Sequence, residues 1–402
     1  MKVAVIGGGA AGFFSALSVK EHHPNSDVTI FEKSNKTLSK VKVSGGGRCN
    51  VTNSETHIGR LASSYPRGEK FLKTAFSHFN TRHTIDWFED RGVALVTQED
   101  KCIFPKSQNS QTIIDCFQNE ARKLNIKIEL KSNCTKIFPL ENENKLELTI
   151  NDKIRKFDKI IVTVGGQTKL EKFDWLSKNK LTIESPVPSL FTFNMPNEKV
   201  KELMGIVIQA TVKVQGTPLK DDGPLLITHW GMSGPAILKL SAWGARILEE
   251  KNYEFKVSVN WLDKIKEDKL REMIKAHISE FGKRLIKNKN PFLLVNRLWD
   301  FLIEKNEINP DKKWMELSKK EINKLVNTLT NDIYEVKGKT TFKEEFVTCG
   351  GVSLSEINVH TMQSRVVPNL YFAGEVMDID GITGGFNFQA AWTTGFIAGR
   401  LK

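Results

Sequence analysis

The sequence predicts an α/β fold in which the two ends of the chain build one parallel-sheet domain, with an antiparallel β-domain and a helical insert between them. Three observations predict this arrangement. A strand, a glycine-rich turn and a helix open the chain, and a second unit of this kind closes it. Between them, alternating apolar residues give way to apolar residues at helical spacing, which are the patterns of half-buried strands and amphipathic helices.

The opening unit begins with an apolar run over residues 2–6, which is typical of a buried parallel strand. Gly7, Gly9 and Gly12 follow at once in the spacing GxGxxG, and "AAGFFSALSVKEHH" predicts a helix that ends before Pro24. The first glycine permits a tight turn, the second lets a pyrophosphate approach the backbone, and the third lets helix and strand pack closely. The pattern therefore predicts a dinucleotide site rather than a purely structural turn.

The next predicted strand, "VTIFEK", ends at Glu32, which lies 20 residues beyond Gly12. An acid at this distance is the expected acceptor for the hydroxyls of a ribose. Because such an acid favours a free 2′-hydroxyl, the sequence indicates FAD or NAD rather than NADP.

Two further segments are rich in glycine. The segment "SGGGRCNVTN", residues 44–53, offers backbone N–H groups that can curl around an anion or a flavin edge. Within it, Arg48 would add charge and Asn50 would bond a ring carbonyl; the alternative is a flexible surface loop. The segment "FDKIIVTVGG", residues 157–166, predicts an apolar strand that ends in glycines.

The middle of the chain has a different character. The segments "IVIQATVKVQG" and "YEFKVSVNW" alternate apolar and polar residues, so an antiparallel β-domain is predicted over residues 187–261 together with about 333–339. Asp222-Gly223-Pro224 predicts a turn between strands. Residues 262–332 are predicted as a helical insert. The apolar face of its first helix is Leu270, Ile274, Ile278, Phe281 and Leu285.

The closing unit combines four features in "NLYFAGEVMDIDGITGGFNFQAAWTTGFIAG": a strand, the acid Glu375, a Gly-Gly turn and a helix from about Asn387. The N-terminus of such a helix would stabilise an anionic reduced flavin, and Glu375 would bind a ribityl hydroxyl. The alternative is a packing helix that uses the small residues Gly395 and Gly399. Residues 1–186 and 340–402 are thus predicted to form one discontinuous domain.

These segments resemble the glutathione-reductase type of FAD-binding, Rossmann-like fold, and in particular the bacterial flavoproteins grouped with aminoacetone oxidase and the BaiN/YhiN-type reductases. The resemblance is carried by "IGGGAAG", "SGGGRCNVTN", "THWGMSGPAILKLS", "VTCGGV" and the closing unit. It implies one FAD held by both ends of the chain, with the pyrophosphate on residues 7–12, the adenosine ribose on Glu32, and the flavin near residues 45–50 and 375–389. One departure is Glu375, where related folds often have Asp.

Together, the patterns and the resemblance assign a large set of residues to the cofactor. They are Gly7, Gly9, Ala10, Ala11, Gly12, Glu32, Lys33, Ser44, Gly45, Gly46, Gly47, Arg48, Cys49, Asn50, Thr163, Gly165, Gly166, Gly374, Glu375, Asp380, Gly381, Gly384, Gly385, Phe386, Asn387 and Gln389. No metal site is expected, because no cluster has the spacing of metal ligands.

Composition restricts the class of protein. Apolar residues make up 40% of the 402 residues and charged residues 26%, which is typical of globular proteins. No apolar run is long enough to cross a membrane and no secretory leader is evident, so a cytoplasmic protein is expected. The five cysteines form no CxxC pair, which argues against a disulfide framework and against dithiol redox chemistry.

The net charge of +12 admits anionic partners. A solvated lysine surface is the favoured explanation, because the helical insert mixes 16 Lys and Arg with 12 Asp and Glu. Nucleic acid therefore stays open as a partner but is not favoured, membrane is not expected, and the oligomeric state is not predicted.

The expected function is an FAD-dependent oxidoreductase acting on a small or medium organic substrate, by amine oxidation or by C=C reduction. No second GxGxxG follows residue 150, so the electrons come from the substrate itself or from a visiting NAD(P)H. His229 is the candidate catalytic residue, with a hydrogen-bonded interface histidine as the alternative. A flavin-containing nucleic-acid-binding or tRNA-modifying protein is the alternative function.

Overall fold

A computed structural model describes residues 1–288, 290–340 and 347–402. The chain divides into two compact units. The first unit contains residues 1–189 and the C-terminal segment from residue 342, and the second contains residues 190–341.

The strands are β1 (Lys2–Ile6), β2 (Asp27–Phe31), β3 (Thr52–Asn53), β4 (Leu95–Thr97), β5 (Cys102–Pro105), β6 (Lys127–Glu129), β7 (Cys134–Leu140), β8 (Lys145–Ile150), β9 (Lys153–Phe157), β10 (Lys159–Val162), β11 (Ile183–Ser189), β12 (Thr192–Asn194), β13 (Val207–Val214), β14 (Lys220–Ile227), β15 (Gly231–Ser233), β16 (Glu254–Asn260), β17 (Asp332–Lys337), β18 (Lys339–Thr340), β19 (Val347–Val352) and β20 (Leu370–Phe372). The α-helices are α1 (Ala10–His22), α2 (Ser39–Gly47), α3 (Ile58–Ala62), α4 (Glu69–Ala75), α5 (Thr81–Glu89), α6 (Gln111–Lys123), α7 (Asp174–Ser177), α8 (Pro235–Trp243), α9 (Ala245–Glu250), α10 (Glu267–Phe281), α11 (Asn296–Lys305), α12 (Lys319–Asn331) and α13 (Phe386–Gly399). Short 3₁₀ helices cover Glu141–Glu143, Leu170–Phe173, Lys199–Leu203, Ile286–Asn288, Trp314–Glu316 and Leu354–Glu356.

The first unit is built on a five-stranded parallel sheet in the order β20-β10-β1-β2-β6. The N-terminal strand β1 lies at its centre, and the C-terminal strand β20 joins it through β10, which pairs Ile161 with Val5 and with Tyr371. These strand residues are fully buried, as expected of a parallel sheet covered on both faces. Both ends of the chain therefore belong to one sheet, and the predicted Rossmann-like α/β fold is confirmed.

The first and last helices of the chain pack closely against each other. A Cβ atom at Gly399 would lie 2.4 Å from the Cβ of Ser18, and one at Gly395 would lie 3.1 Å from the carbonyl oxygen of Ala11. The hydroxyl of Ser18 also donates to the carbonyl of Phe396 at 2.8 Å. The small residues of α13 are thus needed for helix packing, in addition to any part that its N-terminus plays in a site.

The second unit holds a seven-stranded antiparallel sheet in the order β17-β16-β13-β14-β15-β12-β18. The helices α10 to α12 share one hydrophobic core with this sheet, since Leu270, Leu298 and Leu325 belong to the same buried cluster as Val212 and Val257. The β-domain and the helical insert that the sequence separates therefore form a single compact unit in the structure.

Two local predictions in this unit are wrong. Asp222-Gly223-Pro224 lies inside β14, where Gly223 pairs with Ala210 and Pro224 with Gln209. The proline is tolerated because β15 pairs with β14 only from Leu226 onward, so that no partner strand needs its missing N–H.

The apolar face of the first insert helix is also shorter than predicted. Leu270 and Ile274 are buried on α10, but α10 ends at Phe281. Leu285 therefore lies beyond the helix, where its backbone forms an isolated antiparallel β-bridge with Lys313. The apolar periodicity of the sequence continues past the point where Gly282 ends the helix.

Candidate cofactor site

The glycine-rich turn between β1 and α1 has the geometry that each glycine was predicted to supply. Gly7 has a positive φ of +111°, and a Cβ at this position would lie 2.5 Å from the carbonyl oxygen of Thr163. A Cβ at Gly12 would lie 1.9 Å from the carbonyl oxygen of Gly7, so only glycine allows α1 to sit this close. A Cβ at Gly9 would meet no atom of the described residues within 4 Å. The middle glycine therefore faces open space, which is the cradle that a diphosphate requires.

The carboxylate of Glu32 lies beside this turn. It accepts hydrogen bonds from the backbone N–H of Gly8 and from that of Ser34, both at 2.8 Å. Glu32 is half-buried, and with the exposed Lys33 it lines a cavity of about 470 Å³. Gly7, Thr135 and Trp175 also line this cavity. Its size lies within the range of pockets that bind small molecules, so the residues fit the adenosine half of a dinucleotide.

Removing this acid gives the first testable expectation. Glu32→Ala should weaken FAD binding about ten- to hundredfold, because a ribose hydroxyl would lose a charged acceptor worth about 1.5–3 kcal/mol. Fluorescence titration of the deflavinated protein with FAD measures the loss. Glu89→Ala, which removes an exposed carboxylate at the end of α5, is the control and should bind FAD like the wild type. Equal affinities for all three proteins would remove Glu32 from the site.

The second glycine-rich segment leaves the helical conformation at Ser44, where α2 is interrupted. Gly45, Gly46 and Gly47 then take positive φ angles of 58°, 67° and 84°. At Gly46 and Gly47 a Cβ would lie within 4 Å of no atom in the part of the chain that the structure describes. Successive N–H groups in such a conformation can form a concave anion-binding surface, so the backbone of this turn is suited to an anionic ligand.

The side chains that follow this turn are engaged by the protein. The guanidinium of Arg48 lies 4.2 Å from the centre of the Phe104 ring and donates to the carbonyl of Gly45. With its side-chain amide turned so that its oxygen faces a donor and its nitrogen faces acceptors, Asn50 accepts from the N–H of Gly385 at 3.1 Å and donates to the carbonyl of Thr52. Asn50 therefore ties the turn to the start of α13; its contact with a ring carbonyl stays a prediction.

A second carboxylate, Glu375, follows β20. It accepts from the backbone N–H of Thr348 at 3.0 Å and forms an ion pair with Lys40 at 2.8 Å. Gly166 packs against it, since a Cβ there would lie 2.8 Å from a carboxylate oxygen, and Gly165 lies alongside. The hydroxyl of Thr348 is buried and has no partner among the described residues. An orphaned hydroxyl beside a carboxylate is suited to a polar ligand group that the structure does not contain.

The remaining predicted residues hold the closing unit against the opening one. A Cβ at Gly374 would lie 2.7 Å from the Cβ of Ala11. Asn387 both accepts from the N–H of Gly381 and donates to its carbonyl, and the hydroxyl of Tyr65 donates to the carbonyl of Phe386. Gly384 and Gly385 both have positive φ, which places the Gly-Gly turn before α13. Ala10 is the half-buried first residue of α1.

Some predicted cofactor ligands lie inside the protein. Cys49 is fully buried, and burial raises the pKa of its thiol to about 12. Gln389 is fully buried and accepts from the hydroxyls of Thr52 and Thr84. The hydroxyl of Thr163 lies 2.9 Å from each of two backbone carbonyl oxygens, that of the last residue of β1 and that of the first glycine of the turn. In the structure these three side chains support the site from within.

Asp380 is likewise held by protein groups. Its carboxylate is fully buried, pairs with the guanidinium of Arg67 and accepts from the hydroxyl of Ser189 at 2.6 Å. Burial raises the pKa of Asp380, while Arg67 and Ser189 act in the opposite direction. The sequence predicts no role for Arg67, Lys40 or Thr348. Arg67 and Lys40 lie in no motif and their partners are more than 300 residues away, and Thr348 lies within "VTCGGV" without being singled out there.

The candidate catalytic residue belongs to the other unit. His229 is exposed on the tight turn between β14 and β15, ahead of α8, and its ring lies 3.9 Å from that of Trp230. Its role in catalysis stays a prediction. Within the described residues, no helix is both long and apolar enough to span a bilayer.

Comparison with known proteins agrees with this geometry. The family profile described as "HI0933-like protein Rossmann domain" matches residues 1–401. The chain is 31% identical over 404 residues to the ribosomal RNA dihydrouridine synthase of Escherichia coli, covering 97% of this chain and 95% of that protein. It is 25% identical to the 3-dehydro-bile acid delta(4,6)-reductase of Clostridium scindens, covering 99% of this chain and 98% of that protein.

Among solved structures, the chain is similar to 3-ketosteroid delta1-dehydrogenase from Sterolibacterium denitrificans, with a TM-score of 0.51, 11% identity and coverage of 99% and 98% of the two chains. At this identity the likeness concerns the fold alone. The resemblance carried by the sequence motifs is confirmed: this chain belongs to the HI0933-like Rossmann-domain family of FAD-binding oxidoreductases.

Proposed function

We propose that this protein reduces a C=C bond conjugated to a carbonyl group, and that its substrate is a uridine base in ribosomal RNA. The observation that carries the proposal is the full-length identity of 31% to a protein named ribosomal RNA dihydrouridine synthase. Forming dihydrouridine means adding two hydrogens across C5=C6 of uracil. The relative from Clostridium scindens is named as a delta(4,6)-reductase, which is also a C=C reduction. These names favour reduction over amine oxidation.

The cofactor and the protein chain have separate roles in this reaction. When bound, reduced FAD would supply the hydride that goes to one carbon of the double bond, while a proton completes the reduction at the other. The chain supplies two open glycine turns, after β1 and after Ser44, and two carboxylates, Glu32 and Glu375. Since the sequence has no second GxGxxG after residue 150, we propose that the electrons come from NADH or NADPH that visits the site and leaves.

Charge supports RNA over a small neutral substrate. The chain carries +12, and the second unit has five basic residues on a surface that we call the basic tip: Lys283, Arg284, Lys287, Lys312 and Lys313. The bridge between Leu285 and Lys313 brings these residues together. Lys287, Lys312 and Lys313 pair with acidic residues, whereas Lys283 and Arg284 are exposed and form no ion pair within the described part of the chain.

The proposal is tested with ribosomal RNA from cells that lack the gene. The purified protein, FAD and either NADH or NADPH are incubated anaerobically with this RNA, and dihydrouridine is measured by mass spectrometry of the nucleosides. We expect a mass increase at one uridine that matches the addition of two hydrogens. Unchanged RNA under conditions in which the flavin is reduced would contradict the proposal.

A second candidate is supported by the relative from Clostridium scindens, which matches the chain over its full length. In that case the substrate would be a small organic enone and no RNA would be needed. Oxidation of NAD(P)H that depends on a steroid enone, with RNA left unchanged, would favour this candidate.

The basic tip gives a further expectation. The double variant Lys283→Glu/Arg284→Glu should bind ribosomal RNA more weakly, and the slope of log Kd against log salt should fall by about one for each phosphate that the protein no longer touches. Filter binding at several salt concentrations measures this slope. Lys136→Glu/Lys153→Glu, which reverses two exposed lysines on β7 and β9, is the matched control. If both variants lose affinity equally, the tip has no special role in RNA binding.

A further inference from the structure

We infer that Lys40 is an exchangeable counterion of the cofactor: it pairs with Glu375 across the N-terminus of α1 and transfers to the diphosphate when FAD binds. The inference rests on FAD binding by this family and goes beyond the proposed reaction, which it does not require. Lys40 is one of four lysines between residues 33 and 42, and no motif in the sequence distinguishes it from the other three.

The placement of Lys40 follows from a closed ring of contacts around the first turn of α1. On one side, the N–H of Leu38 donates to the carbonyl of Gly8 at 2.9 Å, which lays the segment that carries Lys40 over the glycine turn. On the other side, Gly374 lies against Ala11, which places Glu375 next to the same helix turn. The ion pair of Lys40 with Glu375, at 2.8 Å, joins the two sides.

The glycine turn and the N-terminus of α1 are suited to an anion. Among residues 1–288, 290–340 and 347–402, no atom lies within 4 Å of the position that a Cβ at Gly9 would take. The N-terminus of α1 has no side-chain cap and no acidic residue in its first turn. The first N–H groups of a helix have no partner within the helix, and they carry the positive end of its dipole. A diphosphate at this position would satisfy them.

Electrostatics explains why a cation should change partners. Glu32 and Glu375 already place two carboxylates around the turn, and a diphosphate brings further negative charge. The side chain of Lys40 is 49% exposed, so its ammonium can exchange the carboxylate of Glu375 for a phosphate oxygen at the surface of the site. Glu375 would keep its bond from the N–H of Thr348 and become able to accept a hydroxyl. The exchange would therefore couple the two halves of the cofactor site.

The test uses binding to the deflavinated full-length protein, with FAD, ADP and adenosine as the probes. ADP carries the diphosphate but has no ribityl chain, and adenosine has no phosphate. Lys40→Met should weaken FAD and ADP about ten- to hundredfold, leave adenosine unchanged, and lower the salt dependence of ADP binding. Lys42→Met is the matched control, because Lys42 is exposed and its ammonium donates to the side-chain amide of Gln111 at 3.0 Å.

A second variant separates exchange from a purely structural ion pair. Glu375→Gln removes the competing carboxylate and should raise the affinity for ADP severalfold, because Lys40 no longer has to leave a partner. If Lys40→Met binds ADP like the wild type, or if adenosine weakens as much as ADP, the inference is overturned. A fall in ADP affinity in Glu375→Gln would also overturn it. None of these readouts uses RNA or an enone, so they stand apart from the proposed reaction.

Discussion

Replacing Gly12 by alanine should lower the free energy of unfolding by about 2–4 kcal/mol, which is among the largest effects expected of a single methyl group in this protein. The added Cβ would lie 1.9 Å from the carbonyl oxygen of Gly7 and 2.8 Å from the hydroxyl of Thr163, so α1 must move away from the sheet. Alanine gains about 1 kcal/mol over glycine in helix propensity, which is too little to offset this clash. Urea unfolding followed by circular dichroism measures the difference.

The matched control adds the same methyl group three residues earlier. Gly9 has φ of −91° and ψ of −166°, which alanine adopts without strain, and its Cβ would face open space. Gly9→Ala should therefore unfold like the wild type but bind FAD at least about tenfold more weakly, because the methyl group occupies the approach of the diphosphate. A Gly9→Ala protein with unchanged FAD affinity would contradict the assignment of this turn, as would a Gly12→Ala protein of unchanged stability.

The second large effect concerns the buried ion pair of Arg67 with Asp380. Arg67→Met should lower the free energy of unfolding by about 3–5 kcal/mol, because it leaves the fully buried carboxylate of Asp380 without its cation. The hydroxyl of Ser189 alone cannot replace a charge. Differential scanning calorimetry or urea unfolding measures the loss.

The control for this prediction removes both charges. Arg67→Met/Asp380→Leu should recover much of the lost stability, since replacing a buried pair by apolar groups is often neutral. If the single and the double variant are equally stable, the unpaired carboxylate of Asp380 is not the cause of the stability loss in Arg67→Met, and the prediction is contradicted. Loss of FAD without loss of stability in Arg67→Met would instead place this pair in direct contact with the cofactor.

The sequence predicts the site best where the requirement is local. Gly7, Gly9, Gly12 and Glu32 are identified from spacing alone, because a tight turn, a close helix and an acid after the second strand are properties of one βαβ unit. The structure has the tight turn, the close approach of α1 and the acid beside the turn, while the contacts of these residues with a cofactor stay predictions. The bounds of β1 and the end of α1 before Pro24 also agree, since a local apolar run predicts the strand and a proline limits the helix.

The sequence predicts the site poorly where partners are distant. Lys40 meets Glu375, which lies 335 positions further along the chain, and Arg67 meets Asp380, 313 positions further along, so no periodicity marks either pair. Asp222-Gly223-Pro224 has the composition of a turn, yet pairing with β13 makes it part of a strand. Gln389 has the position of a ligand but its amide is used inside the core. In each case contacts between distant segments determine the partner or the backbone conformation, and the local sequence pattern does not encode those contacts.

The central claim is that one FAD is held at the turn between β1 and α1, with both ends of the chain around it. Titration of the deflavinated protein with FAD, followed by flavin fluorescence, tests this claim most directly. We expect saturation at one FAD per chain, and competition by ADP, which would occupy the same turn. A protein that takes up no FAD, or one whose FAD is not displaced by excess ADP, would contradict it.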